Sequence, residues 1–218
     1  MKIMWKRLNR GIILAVLLAG GVTVFEVVQN IRFKNNKPVL AERVQQLGEE
    51  AAEANIGSGE PAKRKQRALV QNNYIEGGST ALDMMNESSN KGQVLYTLNM
   101  DHGEDGTVLS AKYEQISASV ERSGQTGAVV SVDYKFIIEC DGTPQIFDFS
   151  GANDIGWLFE DEDLDKHKTI EFSASADIRM EPDGGEWKIA SVTVSQWDMT
   201  DVKYDEAAPE NEGGEPVG

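Results

Sequence analysis

The chain has 218 residues, a formal net charge of −15 and a single cysteine, Cys140. This length suits one domain with attached segments, and one cysteine excludes an intramolecular disulfide. The charge is unevenly distributed: residues 1–37 hold seven Lys or Arg and one Glu, a net charge of +6, and the remainder has a net charge of −21. Such an acidic remainder argues against binding to nucleic acid or to an anionic membrane surface.

An apolar run near the N-terminus is the first predicted element. Residues 11–25 carry no charge, and Glu26 is the only ionisable residue up to Ile31. As a helix, these 21 residues would measure about 31 Å, enough to cross the hydrocarbon core of a bilayer. Basic residues precede the run: Lys2, Lys6, Arg7 and Arg10.

This flanking charge predicts a single-pass anchor at 11–31, with residues 1–10 cytoplasmic and the rest extracytoplasmic. The alternative is a cleaved signal peptide, after which the protein would be secreted. We expect residues 32–37 to form a juxtamembrane linker, followed by the extracytoplasmic domain over 38–200 and a disordered acidic tail over 201–218.

Three helices are predicted after the linker, the last a short one capped by Ser79 and Thr80 and running to Met85. Pro38 permits a helix start, and apolar residues then recur at helical spacing: Leu40, Val44, Leu47, Ala51 and Ala54. A second helix is expected from Ser58 to about Ile75. It carries the only basic cluster of the domain: Lys63, Arg64, Lys65 and Arg67. This cluster is a candidate contact patch for an anionic polymer, lipid headgroups or an acidic partner, and the alternative is a solvated helix face.

From Gln93 onwards, apolar and polar residues alternate with a period of two. Six strands are predicted, at about 93–100, 109–120, 130–138, 145–149, 170–180 and 187–197. Turns are expected at Ser123–Gly127, Asp141–Gly142 and Asp183–Gly185. The apolar parity switches after Tyr113 and again after Ile189, which predicts a β-bulge at each position.

Helices followed by a run of strands indicate an α+β fold. We expect N-terminal helices packed on a strongly curved, cone-like antiparallel sheet of about six strands, preceded by one transmembrane helix. The two predicted bulges are the reason for expecting strong curvature, because a bulge bends its strand.

The block Gly184-Gly185-Glu186-Trp187-Lys188-Ile189-Ala190-Ser191-Val192 resembles the closing hairpin of the nuclear-transport-factor-2-like (cystatin-like) superfamily. The resemblance would cover residues 38–200 and implies a sheet that encloses an opening. A single-pass anchor before such a domain is also similar in layout to assembly factors of type IV secretion and conjugation machines. No Asp–His or Tyr–Asp set of the catalytic members can be matched to this chain.

If the cone has an opening, aromatic side chains are candidates to line it: Tyr96, Tyr113, Tyr134, Phe136, Phe172, Trp187 and Trp197. The alternative is that they form the core under the helices. We expect no catalytic residue, cofactor or metal site.

The function predicted first is a membrane-anchored, non-catalytic interaction or assembly module of a bacterial envelope or transfer apparatus. Its expected partners are other envelope proteins or further copies of itself. The alternatives are a small-ligand-binding domain that uses the cone and a pilin-like subunit.

Overall fold

The computed structural model describes residues 10–76, 91–100, 105–124 and 126–204, with the side chains of 10–14, 16, 17 and 105 outside that description. Three helices come first: α1 (Arg10–Asn55), α2 (Gly59–Asn73) and α3 (Lys91–Asn99). The strands are β1 (Asp105–Ser123), β2 (Gly127–Thr143), β3 (Ile146–Phe147), β4 (Ala152–Asn153), β5 (His167–Asp183) and β6 (Glu186–Tyr204). Helices packed on an antiparallel sheet confirm the α+β class.

The sheet differs from the expected cone of about six strands. Four long strands form the main sheet in the order β1-β2-β5-β6, and β3 and β4 pair with each other in a separate hairpin. The main sheet is not strongly curled, so the expected strong curvature is wrong. The central pair β2–β5 keeps one register throughout, and every register shift lies in the pairing of an edge strand, which limits the bending to the edges.

Two local predictions are wrong. Residues 93–100 were expected as a strand, but they lie in α3 and its end, with Val94 and Leu98 buried one helical turn apart. Asp141–Gly142 was expected as a turn, but β2 continues through it to Thr143. Gly142 has a φ of 72°, which glycine adopts without strain, and it still pairs with Gly106 of β1.

Helix α1 is continuous through the predicted linker. Residues 32–37 are helical and Pro38 lies inside the helix. Proline removes one backbone hydrogen bond of a helix, and burial of the following turns offsets that loss. Within the residues that the structure describes, no helix is both long and apolar enough to cross a membrane. The predicted cytoplasmic tail over 1–10 lies outside those residues except for the backbone of Arg10, and the predicted short helix up to Met85 lies outside them entirely.

The C-terminal half of α1 packs along edge strand β1 and runs antiparallel to it. Leu40, Val44, Leu47 and Ala51 have no exposed surface. At one end of this contact Glu26 pairs with Arg122, and at the other end Gly57 pairs with Val108 through two backbone hydrogen bonds of 2.9 and 3.0 Å. The N-terminal part of α1 therefore projects beyond the end of the sheet that holds the β1–β2 and β5–β6 turns.

The predicted bulges are confirmed. In β1 the pairing skips Leu109 and Ile116, and in β6 it skips Ala190, Ser195 and Thr200. Two of these extra residues satisfy neighbouring carbonyls, because Ser195 Oγ donates to Ser175 O (3.0 Å) and Thr200 Oγ1 donates to Glu171 O (3.2 Å). Both edge strands are thus irregular, which disfavours pairing with a strand of another chain.

Candidate functional site

The predicted aromatic residues mostly pack against one another. Tyr113 from β1 contacts Tyr134 and Phe136 from β2, with ring centroids 5.5 Å apart in each case. Phe149, which follows β3, completes the group at 6.0 Å from Tyr113 and 5.6 Å from Tyr134. Edge-to-face contacts of this kind stabilise a core beyond the area that they bury.

The other predicted aromatics lie elsewhere. Phe172 is buried and stacks on the half-buried Trp197 with centroids 4.6 Å apart. Trp187 is half-buried near the β5–β6 turn, and Tyr96 is 65% exposed on α3. Tyr113, Tyr134, Phe136 and Phe172 are each no more than 6% exposed. Five grooves on the described surface are lined by other residues, with Trp187 the only predicted aromatic among them. The rings occupy the interior that a ligand pocket would need.

A buried carboxylate lies beside this aromatic group and was missed in the sequence. Asp148 is 2% exposed and opens the four-residue loop of the β3–β4 hairpin. Its Oδ1 accepts hydrogen bonds from Ser150 N and Ser150 Oγ, both at 2.6 Å, and from Gly151 N at 3.1 Å. Burial raises the pKa of Asp148, although these hydrogen bonds oppose the change. The pattern Asp-x-Ser-Gly is a recognisable turn signal, but it does not reveal the burial.

Two buried tyrosines, Tyr74 and Tyr134, interact electrostatically with this carboxylate, and a third, Tyr113, interacts with Glu49. Tyr74 Oη donates to Phe149 O at 2.6 Å, whereas the hydroxyls of Tyr113 and Tyr134 are buried without a hydrogen-bond partner in the described residues. Burial is the main cause that raises the pKa of all three tyrosines. Two unpaired buried hydroxyls cost stability. None of the five grooves is lined by Asp148, Tyr113 or Tyr134.

A second buried charge holds the loop between β4 and β5. Lys168 has no exposed surface, and its Nζ donates to Asp163 O (2.7 Å) and Leu164 O (3.1 Å). The same Nζ lies 4.6 Å from the ring centroid of Phe159, a cation–π contact. Burial lowers the pKa of Lys168. This lysine fixes the loop over the sheet end. It shares the inward parity of Ile170 and Phe172, but it was not singled out in the sequence because the predicted strand began at Ile170.

The predicted basic cluster on α2 is largely engaged within the chain. Lys65 Nζ donates to Ile56 O at 3.0 Å and Lys63 Nζ to Met100 O at 3.4 Å. Arg67 pairs with Glu60 and with Asn99 Oδ1. Arg64 is exposed. Three of the four side chains thus tie α2 to neighbouring elements, and their use as a contact patch stays a prediction.

The single thiol and possible metal ligands are the remaining candidates for chemistry. Cys140 is buried, and burial raises its pKa to about 11, so its nucleophilic thiolate form is scarce. Among the residues that the structure describes, no group of three His, Cys, Asp or Glu side chains is placed to hold a metal ion.

A junction near the projecting part of α1 was also missed. Arg122 Nη1 lies 3.0 Å from Glu26 Oε2 and 3.0 Å from Asn30 Oδ1, which fastens α1 to the end of β1. Trp187 lies between two grooves there. One, of about 290 Å³, includes Arg32 and Arg122, and the other, of about 440 Å³, includes Glu42 and Glu186.

Comparison with known proteins adds little. No protein-family model matches the chain, and no curated protein matches it. Among solved structures, the chain is similar to the crystal structure of a hexachlorocyclohexane dehydrochlorinase (LinA) type 2 at 14% sequence identity and a TM-score of 0.34. That similarity covers 78% of this chain and 96% of the dehydrochlorinase, and at this TM-score it carries no argument about fold or activity.

Proposed function

We propose that this protein is a membrane-anchored, non-catalytic interaction module, with residues 11–31 as the anchor, the N-terminus cytoplasmic and the domain extracytoplasmic. The observation that carries the proposal is that the apolar run and the domain-packing turns belong to one helix, α1. A segment that forms one helix with the folded domain suits a retained anchor better than a signal peptide that is removed.

In the projecting part of α1, the side chains that the structure describes are suited to an apolar environment. Val22, Val24 and Phe25 are 62%, 65% and 48% exposed, and Leu18, Val27 and Ile31 are also more than half exposed. At about 25 cal/mol per Å² of apolar surface, burial of these exposed side chains in lipid would be favourable. Glu26 is paired with Arg122, which reduces the cost of the one charge in the run.

An interaction role is favoured over catalysis by where the exposed groups lie. The end of the sheet opposite the projecting helix carries Trp157, which is 74% exposed, beside an acidic run over residues 160–165. Tryptophan is among the residues most enriched in the energetic centres of protein interfaces. We therefore place the partner contact at this end. Within the same proposal, the protein is a component of a bacterial envelope or transfer apparatus.

Two measurements on the full chain test this proposal. Alkaline extraction of membranes, followed by N-terminal sequencing, should find the protein in the pellet with its N-terminus intact. A cleaved and extractable protein would contradict the anchor.

The interaction is tested by replacing Trp157 with a photo-crosslinking residue in intact membranes. We expect a covalent product with a second protein or a second copy, and a much weaker one from Asp177, which is exposed on the open face of the sheet. Equal yields from both positions, or monomer alone from both, would contradict a contact centred on Trp157.

A further inference from the structure

The groove of about 290 Å³ beside the projecting part of α1 has the residue composition of a binding site for a lipid headgroup. Its helix side is one face of α1, formed by Gln29, Arg32, Phe33 and Asn36, which recur at spacings of three, one and three residues. The opposite side comes from the β1–β2 and β5–β6 turns, through Arg122, Pro182 and Trp187 and their neighbours.

The charge at this groove is opposite to that of the domain. Residues 27–37 hold Arg32, Lys34 and Lys37 and no acidic residue, in a chain whose net charge is −15, and the nearby Glu26 is already paired with Arg122. Arg32 is exposed, and within the described residues its guanidinium makes no hydrogen bond or ion pair. Lys37 Nζ lies 5.3 Å from the ring centroid of Phe33, so a second cation is held above the groove's aromatic ring.

Depth in the membrane follows from the proposed anchor, on which this inference rests. If residues 11–31 cross the hydrocarbon core, Arg32 is the first residue beyond it, at the level of the headgroups, and the Glu26–Arg122 pair lies about 9 Å deeper, within the last turns of the span. Trp187 reaches the same level from the β5–β6 turn, and tryptophan favours this interfacial layer. The neighbouring groove with Glu42 and Glu186 begins at Val39, about 10 Å further along α1, beyond the reach of headgroups.

We infer that this groove binds the headgroup of an anionic phospholipid, with the Arg32 guanidinium on the phosphate and Trp187 and Phe33 against the glycerol and upper acyl region. Arginine presents paired N–H donors that match phosphate oxygens, and the positive potential of Lys37 adds to the attraction. The bound lipid would close the gap between α1 and the two turns, and so fix the tilt of the domain on the membrane.

The test uses the full chain in nanodiscs that contain equal amounts of phosphatidylglycerol and phosphatidylcholine. Native mass spectrometry after gentle removal of the bilayer should find phosphatidylglycerol retained in preference to phosphatidylcholine. In Arg32→Gln we expect the retained phosphatidylglycerol to fall by about fivefold, the effect of one interfacial arginine.

Lys34→Gln is the matched control. It removes the same charge two residues away on α1, but Lys34 does not line the groove. Retention unchanged in Lys34→Gln supports a site, whereas an equal loss in both variants shows general attraction to a positive segment and overturns the inference. Equal retention of the two lipids by the unmodified protein also overturns the inference, but it leaves the proposed anchor unaffected. A chain that does not enter nanodiscs refutes the anchor and this inference together.

Discussion

Asn55, the last residue of α1, forms two hydrogen bonds with the backbone of Phe147 in β3. Its Oδ1 accepts from Phe147 N and its Nδ2 donates to Phe147 O, each at 2.8 Å. The side chain thus makes the two backbone hydrogen bonds that a neighbouring strand would make to Phe147. Gln66 Nε2 from α2 donates to the same Oδ1 at 3.1 Å. One buried amide therefore joins α1, α2 and the β3–β4 hairpin.

Asn55→Ala should be strongly destabilising. It leaves the buried N–H and C=O of Phe147 without partners, and we expect a loss of about 3 kcal/mol in the free energy of unfolding. Chemical denaturation of the full chain in a mild detergent, followed by tryptophan fluorescence, measures this loss. Glu53→Ala, an exposed position two residues earlier in the same helix, should change the stability by less than about 0.5 kcal/mol. Similar effects from the two variants would contradict the role of Asn55.

Gly48→Ala tests the close approach of α1 to the aromatic group. A Cβ at Gly48 would lie 2.6 Å from Tyr113 Cδ1. Alanine gains about 1 kcal/mol of helix propensity over glycine, but overpacking against a buried ring costs about 1–3 kcal/mol, so we expect a net loss. Adding Tyr113→Ala should abolish the penalty of the Gly48 change. Gly21→Ala, where nothing lies within 4 Å of the new Cβ, is the control and should not destabilise the domain.

Asp148 should make the stability depend on pH in an unusual direction. Its folded-state pKa is raised by burial above its ordinary value, so the folded state holds the proton more tightly than the unfolded state. This contribution stabilises the fold at low pH and is lost as pH rises through the folded-state pKa. Asp148→Asn keeps an oxygen for Ser150 and Gly151 but cannot ionise. The variant should therefore be more stable than the unmodified protein at neutral pH, and the difference should disappear below pH 3.8, the ordinary pKa of an aspartate. A difference that is constant with pH would contradict this explanation.

The bulge at Ile116 should tolerate a deletion. Removing Ile116 takes out one of the two unpaired residues of β1, after which Tyr113 and Val120 both face inward with no bulge between them. We expect the variant to fold with a loss of at most about 2 kcal/mol. The same deletion at Ser131 in β2, which pairs without a shift to β5, turns half of a central strand to the wrong face and should prevent folding. Circular dichroism and thermal unfolding of both variants measure the contrast.

Sequence patterns predicted the features that depend on local alternation. The parity switches after Tyr113 and Ile189 correctly placed two bulges, because one extra residue necessarily exchanges the inward and outward positions. The same reasoning failed for residues 93–100, where Val94 and Leu98 fit a strand and a helix equally well, and contact with α2 and β4 decided for the helix.

The contacts of α1 with β3 and with the end of β1 could not be predicted, because they join residues that are distant in the chain. Asn55 meets Phe147, 92 residues later, and Glu26 meets Arg122 across 96 residues. Nothing near either residue in the sequence indicates its partner. The seven predicted aromatics were placed on inward positions for the most part, but only their packing distances distinguish a filled core from a lined opening.

The unbroken path of α1 from Arg10 to Asn55 has a mechanical consequence. A helix without a flexible joint transmits rotation as well as position. If the proposed anchor is correct, the rotational orientation of the domain about the membrane normal is therefore set by the helical phase of residues 11–31. One residue inserted between Asn35 and Asn36 would rotate everything beyond it by about 100° and raise it by ~1.5 Å. The number of residues between the apolar run and Leu40 is therefore under geometric constraint, even where the identity of those residues is not.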